Sequence, residues 1–173
     1  MDQTDVGLKS VVKALTDTIA GAIDPTDHLA REQLRLAASY IDFVRQRLDF
    51  IHTRERYDLK HYASLARRLL AIDLPRNMAT IAEMRLALDT AEELLADPDA
   101  RTDRTRATAM ELAYAVSRVV QETHERSGQH TGAVDRAVLW ASEEKLEMER
   151  IWYQPVGFDP APPTGVLLED RLK

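Results

Sequence analysis

Leu29, Leu36, Phe43, Phe50 and Tyr57 recur every seven residues, and two further rows, Leu34/Ile41/Leu48 and Ala37/Val44/Ile51, run beside them. At 100° per residue the three rows share one broad arc of an α-helix. Arg31, Glu32, Arg35, Asp42, Arg45, Gln46 and Asp49 occupy the opposite arc. The pattern predicts a long helix with one buried side. Helix breakers are few: the chain has 6 Gly and 7 Pro, and Pro155, Pro160, Pro162 and Pro163 all follow residue 154. With aromatics at only 6%, Leu, Ala, Val and Ile must fill most of the core.

The expected architecture is therefore all-α, an up-and-down bundle of about five helices with a long central helix and an extended Pro-rich C-terminal tail. At 173 residues, one domain fits the length, with the bundle over 1–153 and the tail over 154–173. The first helix spans about Thr4 to Ile23, with Val11, Val12, Leu15, Ile19 and Ile23 as its stripe. Asp24-Pro25-Thr26-Asp27 reads as a helix start, with Asp24 capping and Pro25 in the first turn. The second helix begins there and extends toward Ile72; unbroken, it would reach about 69 Å at 1.5 Å per residue. Either it bends near residues 52–58 or it protrudes toward a partner. The turn at Asp73-Leu74-Pro75-Arg76-Asn77 leads to a third helix, Met78 to Ala96. Asp97-Pro98-Asp99 separates it from a fourth, Thr102 to Arg126, which Ser127-Gly128 ends. The fifth covers Gly132 to Tyr153.

Charge and composition narrow the function classes. The net charge of −6, with acids and bases mixed along every segment, disfavours nucleic acid, which calls for a Lys/Arg surface. The chain has no cysteine, which excludes disulfides, thiolate catalysis and cysteine-held metals. No apolar run approaches the ~20 residues of a membrane span. Met1-Asp2-Gln3-Thr4-Asp5 lacks an apolar signal core, so the expected compartment is the cytoplasm.

One place on the long stripe carries chemistry. Past Ile51 the apolar rows meet Glu55 and Asp58 and then return to Tyr62 and Leu65, with His61 alongside. Spacings of three and four put these groups on adjacent turns. Facing inward, Glu55, Asp58, His61 and Tyr62 would form a set able to move a proton. Glu55, Asp58 and His61, joined by Glu144 from the acidic run Glu143, Glu144, Glu147 and Glu149, would suit a divalent metal. The competing reading is a solvated knuckle in which Arg54 and Lys60 pair with the acids. His124, four residues after Val120, reads as a hydrogen-bonded histidine near a helix end.

Stronger signatures are missing. There is no Glu-x-x-His of the ferritin-like di-metal bundles, no His-Glu-x-x-His, no phosphate-binding Gly loop and no Gly-x-Ser-x-Gly. Glu92-Glu93-Leu94-Leu95-Ala96-Asp97 resembles half of the metal motif of all-helical nucleotide pyrophosphohydrolases, but the companion Glu-x-x-Glu upstream is absent. The leading functional expectation is a non-catalytic accessory, scaffold or regulatory protein. It would act as a homo-oligomer, a dimer by preference, or as a subunit of a larger complex. The alternatives are a carboxylate/histidine enzyme or divalent-metal binder at the polar cluster, and an apolar-ligand binder lined by Phe43, Phe50, Trp140 and Met148.

Overall fold

The computed structural model describes residues 3–75, 77–126, 128–157 and 168–172. Every regular element among them is helical: α1 (Gln3–Lys13), α2 (Ala20–Ala22), α3 (His28–Arg47), α4 (Ile51–Leu70), α5 (Ala79–Ala96), α6 (Thr102–Glu125), α7 (Thr131–Tyr153) and the short α8 (Leu168–Arg171). A π-helical stretch, Ala14–Ile19, joins α1 to α2. There the Thr16 hydroxyl donates to the Val12 carbonyl at 3.1 Å, a bond that competes for the helix's own acceptor. Among the described residues no helix is long and apolar enough to cross a membrane. The expected tail falls largely outside the described residues; within them, Pro155 sits in a 3-10 turn, Gln154–Val156, closed by Gly157 at φ 80°, and Leu168 is buried.

The expected start of the second helix shifts by three residues. Asp24 turns its carboxylate onto the Thr26 N–H and hydroxyl at 2.8 and 2.7 Å, and the cap of α3 is Asp27, which accepts the Ala30 N–H at 2.9 Å. Pro25 stays in the preceding turn. The long second helix is interrupted by a 3-10 segment, Leu48–Phe50. That lies upstream of the charged run at 52–58, so Glu55, Asp58, His61 and Tyr62 all belong to the uninterrupted helix α4.

The described residues pack as two compact units, one of 3–50 with 152–157 and the other of 51–151 with 168–172. In the first, α1 and α3 form a helical hairpin. Leu34, Ile41 and Val44 on α3, Leu8 and Val12 on α1 and Leu15 in the π-helical stretch are half-buried, and no residue of α1 is fully buried. Near the end of α3, Phe43 stacks on Tyr153 (5.6 Å between centroids) and meets the edge of Trp152 (6.4 Å). Arg47, 8% exposed, lies over both Phe43 and Trp152 and donates to the Trp152 carbonyl at 3.0 Å.

The second unit holds the main core. Leu59 and Leu69 of α4, Met84 of α5, and Leu112 and Val119 of α6 are fully enclosed. Ala63, Ala66 and Ala91, also fully buried, keep side-chain volume low where α4, α5 and α6 approach one another. Two buried threonines donate to carbonyls of their own helix turn, Thr105 to Arg101 and Thr123 to Val119, and buried Thr80 donates to Glu122 of α6. Arg56 of α4 donates to the Leu95 and Asp97 carbonyls at the end of α5 (2.6 and 2.9 Å), placing a cation where a helix leaves unpaired acceptors. Val134, Ala141, Met148 and Ile151 give α7 its buried face.

Candidate functional site

The polar interruption of the long stripe lies on α4, and helix geometry divides it. Glu55 and Asp58 are three residues apart, so their Cβ directions differ by about 60°, enough for two long side chains to reach different neighbours. Glu55 pairs with Arg106 of α6 at 2.7 Å. Asp58 turns to α7 and accepts from Lys145 at 2.5 Å and from Arg54 at 3.3 Å. Glu149 accepts from Lys145 at 2.9 Å and also from Arg54. Arg54, Asp58, Lys145 and Glu149 thus close a ring of alternating sign in which each ion touches two of opposite charge. Arg54 is the most deeply placed, with its side chain 8% exposed. Burial pushes the Glu149 carboxyl up, but Lys145 and Arg54 outweigh that and hold it below the usual glutamate range.

One turn further along, His61 is 8% exposed. Its ring stacks on Tyr57 (6.4 Å, 19°) and stands edge-on to Tyr62 (5.2 Å, 79°). Burial, then the positive charge of Lys145, lowers its pKa below the ordinary histidine value. Burial and the nearby Glu144 push the Tyr57 hydroxyl up to about 12. Both groups are therefore neutral near pH 7. Glu144 is exposed and shares an open groove between α4 and α7 with His61.

Of the expected site residues, then, His61 and Glu144 come together, Tyr62 supports the His61 ring, Asp58 enters the ion ring, and Glu55 faces α6. Among the described residues, no group of three or more His, Asp or Glu side chains is gathered so as to hold a metal ion. The apolar-ligand set is also divided: Phe43 packs with Trp152 and Tyr153, whereas Trp140 lies under the Arg68 guanidinium, 3.4 Å from its carbon to the ring centroid, and Met148 is buried. His124 hydrogen-bonds through Nδ1 to the Val120 carbonyl (2.8 Å) and through Nε2 to Asp135 (2.9 Å).

The importance of Arg54, Arg68 and Arg47 was open to a sequence reader in another row. Tyr40, Arg47, Arg54, His61 and Arg68 recur every seven residues alongside the apolar rows. In the structure Arg47 lies on Phe43 and Trp152, Arg54 over Tyr57, His61 against Tyr57 and Tyr62, and Arg68 on Trp140. A row of flat cationic or aromatic groups at helical spacing signals stacking.

A second surface stands out in the hairpin. The row predicted to be buried is split along α3: Phe43 is enclosed, but Leu29 is 71% exposed, Leu36 47% and Tyr40 65%. The half of the arc carrying Leu34, Ile41 and Val44 packs inward. The half carrying Leu29, Leu36 and Tyr40 is uncovered: among the described residues α3 packs along its length on α1 and, near its end, on Trp152 and Tyr153. No protein-family model, curated protein or solved structure matches the chain.

Proposed function

We propose that this chain is a non-catalytic helical protein that works by association, and that its docking element is the outer row of α3, covered by the same row of a second copy. The exposure of Leu29, Leu36 and Tyr40 on a helix whose other apolar half is already packed carries this reading. Contiguous uncovered apolar rows are uncommon on monomers, and a seven-residue spacing suits helix-to-helix seams. Charge favours a second copy as the occupant. Residues 3–50 contain seven acidic and six basic side chains, against a whole-chain charge of −6, so two hairpins meet with almost no repulsion. Neither a polyanion nor an anionic membrane finds a basic stripe there.

The polar cluster supports the non-catalytic side of the reading. Asp58 and Glu149 are answered by Arg54 and Lys145, and Glu55 by Arg106. A catalytic carboxylate or metal ligand needs a free oxygen facing a cavity, whereas these are spent on structural pairs.

Sedimentation or light scattering across a concentration range tests the proposal. The expected result is a dimer at high concentration that the double substitution Leu29→Glu/Leu36→Glu turns into a monomer with unchanged helix content. A strict monomer at every concentration would overturn it.

A further inference from the structure

The groove between α4 and α7 has an open volume of about 750 Å³, within the size range of small-ligand sites. The whole of it lies in the unit formed by 51–151 with 168–172, so its chemistry is independent of any role of the hairpin. His61 and Tyr57 line one wall, with Ser64 a turn further along, and Trp140, Glu143 and Glu144 line the other.

His61 is more than nine-tenths buried, yet neither ring nitrogen is hydrogen-bonded to any described residue. The ring nitrogens are not sealed from the groove, so a ligand there can reach them. The neutral ring offers one lone pair and one N–H, and its plane is held by Tyr57 stacked on it and Tyr62 edge-on. The Tyr57 hydroxyl points its hydrogen at the Glu144 carbonyl oxygen at 3.4 Å, leaving its oxygen as an acceptor. Glu143 and Glu144 are exposed, and neither is in an ion pair among the described residues. Glu147, at the edge of the same groove, is bound by Arg171 of α8. The groove therefore presents mostly acceptors, two of them free carboxylates, between aromatic rings. Against this stand the ammonium of Lys60, exposed at the rim and outside any ion pair among the described residues, the Arg171 guanidinium held by Glu147, and the Arg68 guanidinium on Trp140. A transition metal would find His61 and Glu144 but, among the described residues, no third ligand gathered with them.

We infer that this groove binds a small organic cation bearing N–H groups, a protonated alkylamine, with its charged end between Glu143, Glu144 and the free nitrogen of His61 and its apolar body against Tyr57 and Trp140. Carboxylates and an imidazole lone pair accept N–H bonds, and aromatic rings tolerate methylene groups against them. Lys60 sets a competing charge beside the site and limits its affinity.

The test is an NMR titration of the intact chain, labelled with nitrogen-15 at histidine and tryptophan, with hexylammonium chloride, and with hexanol and sodium hexanoate as the neutral and anionic counterparts. Saturable shifts of the His61 ring signals with hexylammonium, and none with hexanol or hexanoate, are expected. Glu143→Gln and Glu144→Gln should each weaken hexylammonium about threefold, the scale of one solvent-exposed charge pair. Lys60→Met should tighten it by a similar factor. His61→Phe, which keeps the ring stack, should abolish the saturable shifts, which that variant reads at the labelled indole of Trp140. Equal response to hexanol, stronger binding of hexanoate, indifference to Lys60→Met, or tight zinc binding at the same signals would each overturn the assignment.

Discussion

Helices α3 and α4 are each 20 residues long, follow one another in the chain and carry apolar rows in the same seven-residue register, yet they are covered very differently. Seven residues of α4 are buried, and three of α3. The difference lies in what each helix meets. α4 meets α5, α6 and α7, which close around Leu59, Ala63, Ala66 and Leu69. α3 meets α1, whose own residues are at best half-buried. Amphipathic spacing states that a face needs cover; the number of neighbouring helices decides whether one chain supplies it.

The contrast is most sharply tested where the core is tightest. Leu112→Ala on α6, at a fully enclosed site, should cost about 3 kcal/mol or more in urea unfolding, because the cavity cannot collapse among packed helices. Leu36→Ala on α3 should change the unfolding free energy of dilute protein by less than about 0.5 kcal/mol while shifting the self-association equilibrium. If both substitutions cost the same, the two helices are equally buried in solution and the comparison fails. Next in size is Arg54→Met, which leaves Asp58 and Glu149 with Lys145 alone. Both carboxylates are partly exposed, at 21% and 31%, so the loss should be about 2 kcal/mol, below the range for a fully buried pair.

A pH series sharpens the picture at His61, which faces Lys145 and Glu144 of α7 and Asp58 and Arg54 of its own helix. Its folded pKa lies below the unfolded value of about 6.5. The unfolded chain therefore takes up the proton first, so stability is full above that value and falls as pH drops through the window beneath it. His61→Phe should flatten this part of the stability–pH curve below about pH 6.5, read by thermal unfolding. The smallest effect belongs to Arg106→Gln, which breaks a pair whose arginine is 53% exposed and should stay within about 0.5 kcal/mol.

Much of the helical layout was legible in the sequence. The expected third, fourth and fifth helices end within a residue or two of α5, α6 and α7, because Pro75, Asp97-Pro98-Asp99 and the segment around Gly128 are strong local punctuation. The interruption at Leu48–Phe50 was not legible, since Leu-Asp-Phe contains no breaker. The start of α3 was legible only to within three residues, because Asp24 and Asp27 are both competent caps and Asp24 is drawn instead to Thr26. At the polar cluster, spacing showed which residues share a side of α4 but not which neighbour each would reach. Glu55 finding Arg106, and Asp58 finding Lys145, depend on side chains 51 and 87 residues away. His61 and Glu144 sharing a groove depends on α7 running along α4, which single-chain periodicity does not encode.

The closed loop of charge through residues 54, 58, 145 and 149 carries an evolutionary consequence. Exchanging any single member for an aliphatic residue strands an opposite charge, whereas exchanging all four for greasy side chains of similar bulk leaves nothing stranded. Descendants of this chain should therefore keep the quartet whole or discard it whole. Intermediates would be rare, and the four positions would be inherited as one character.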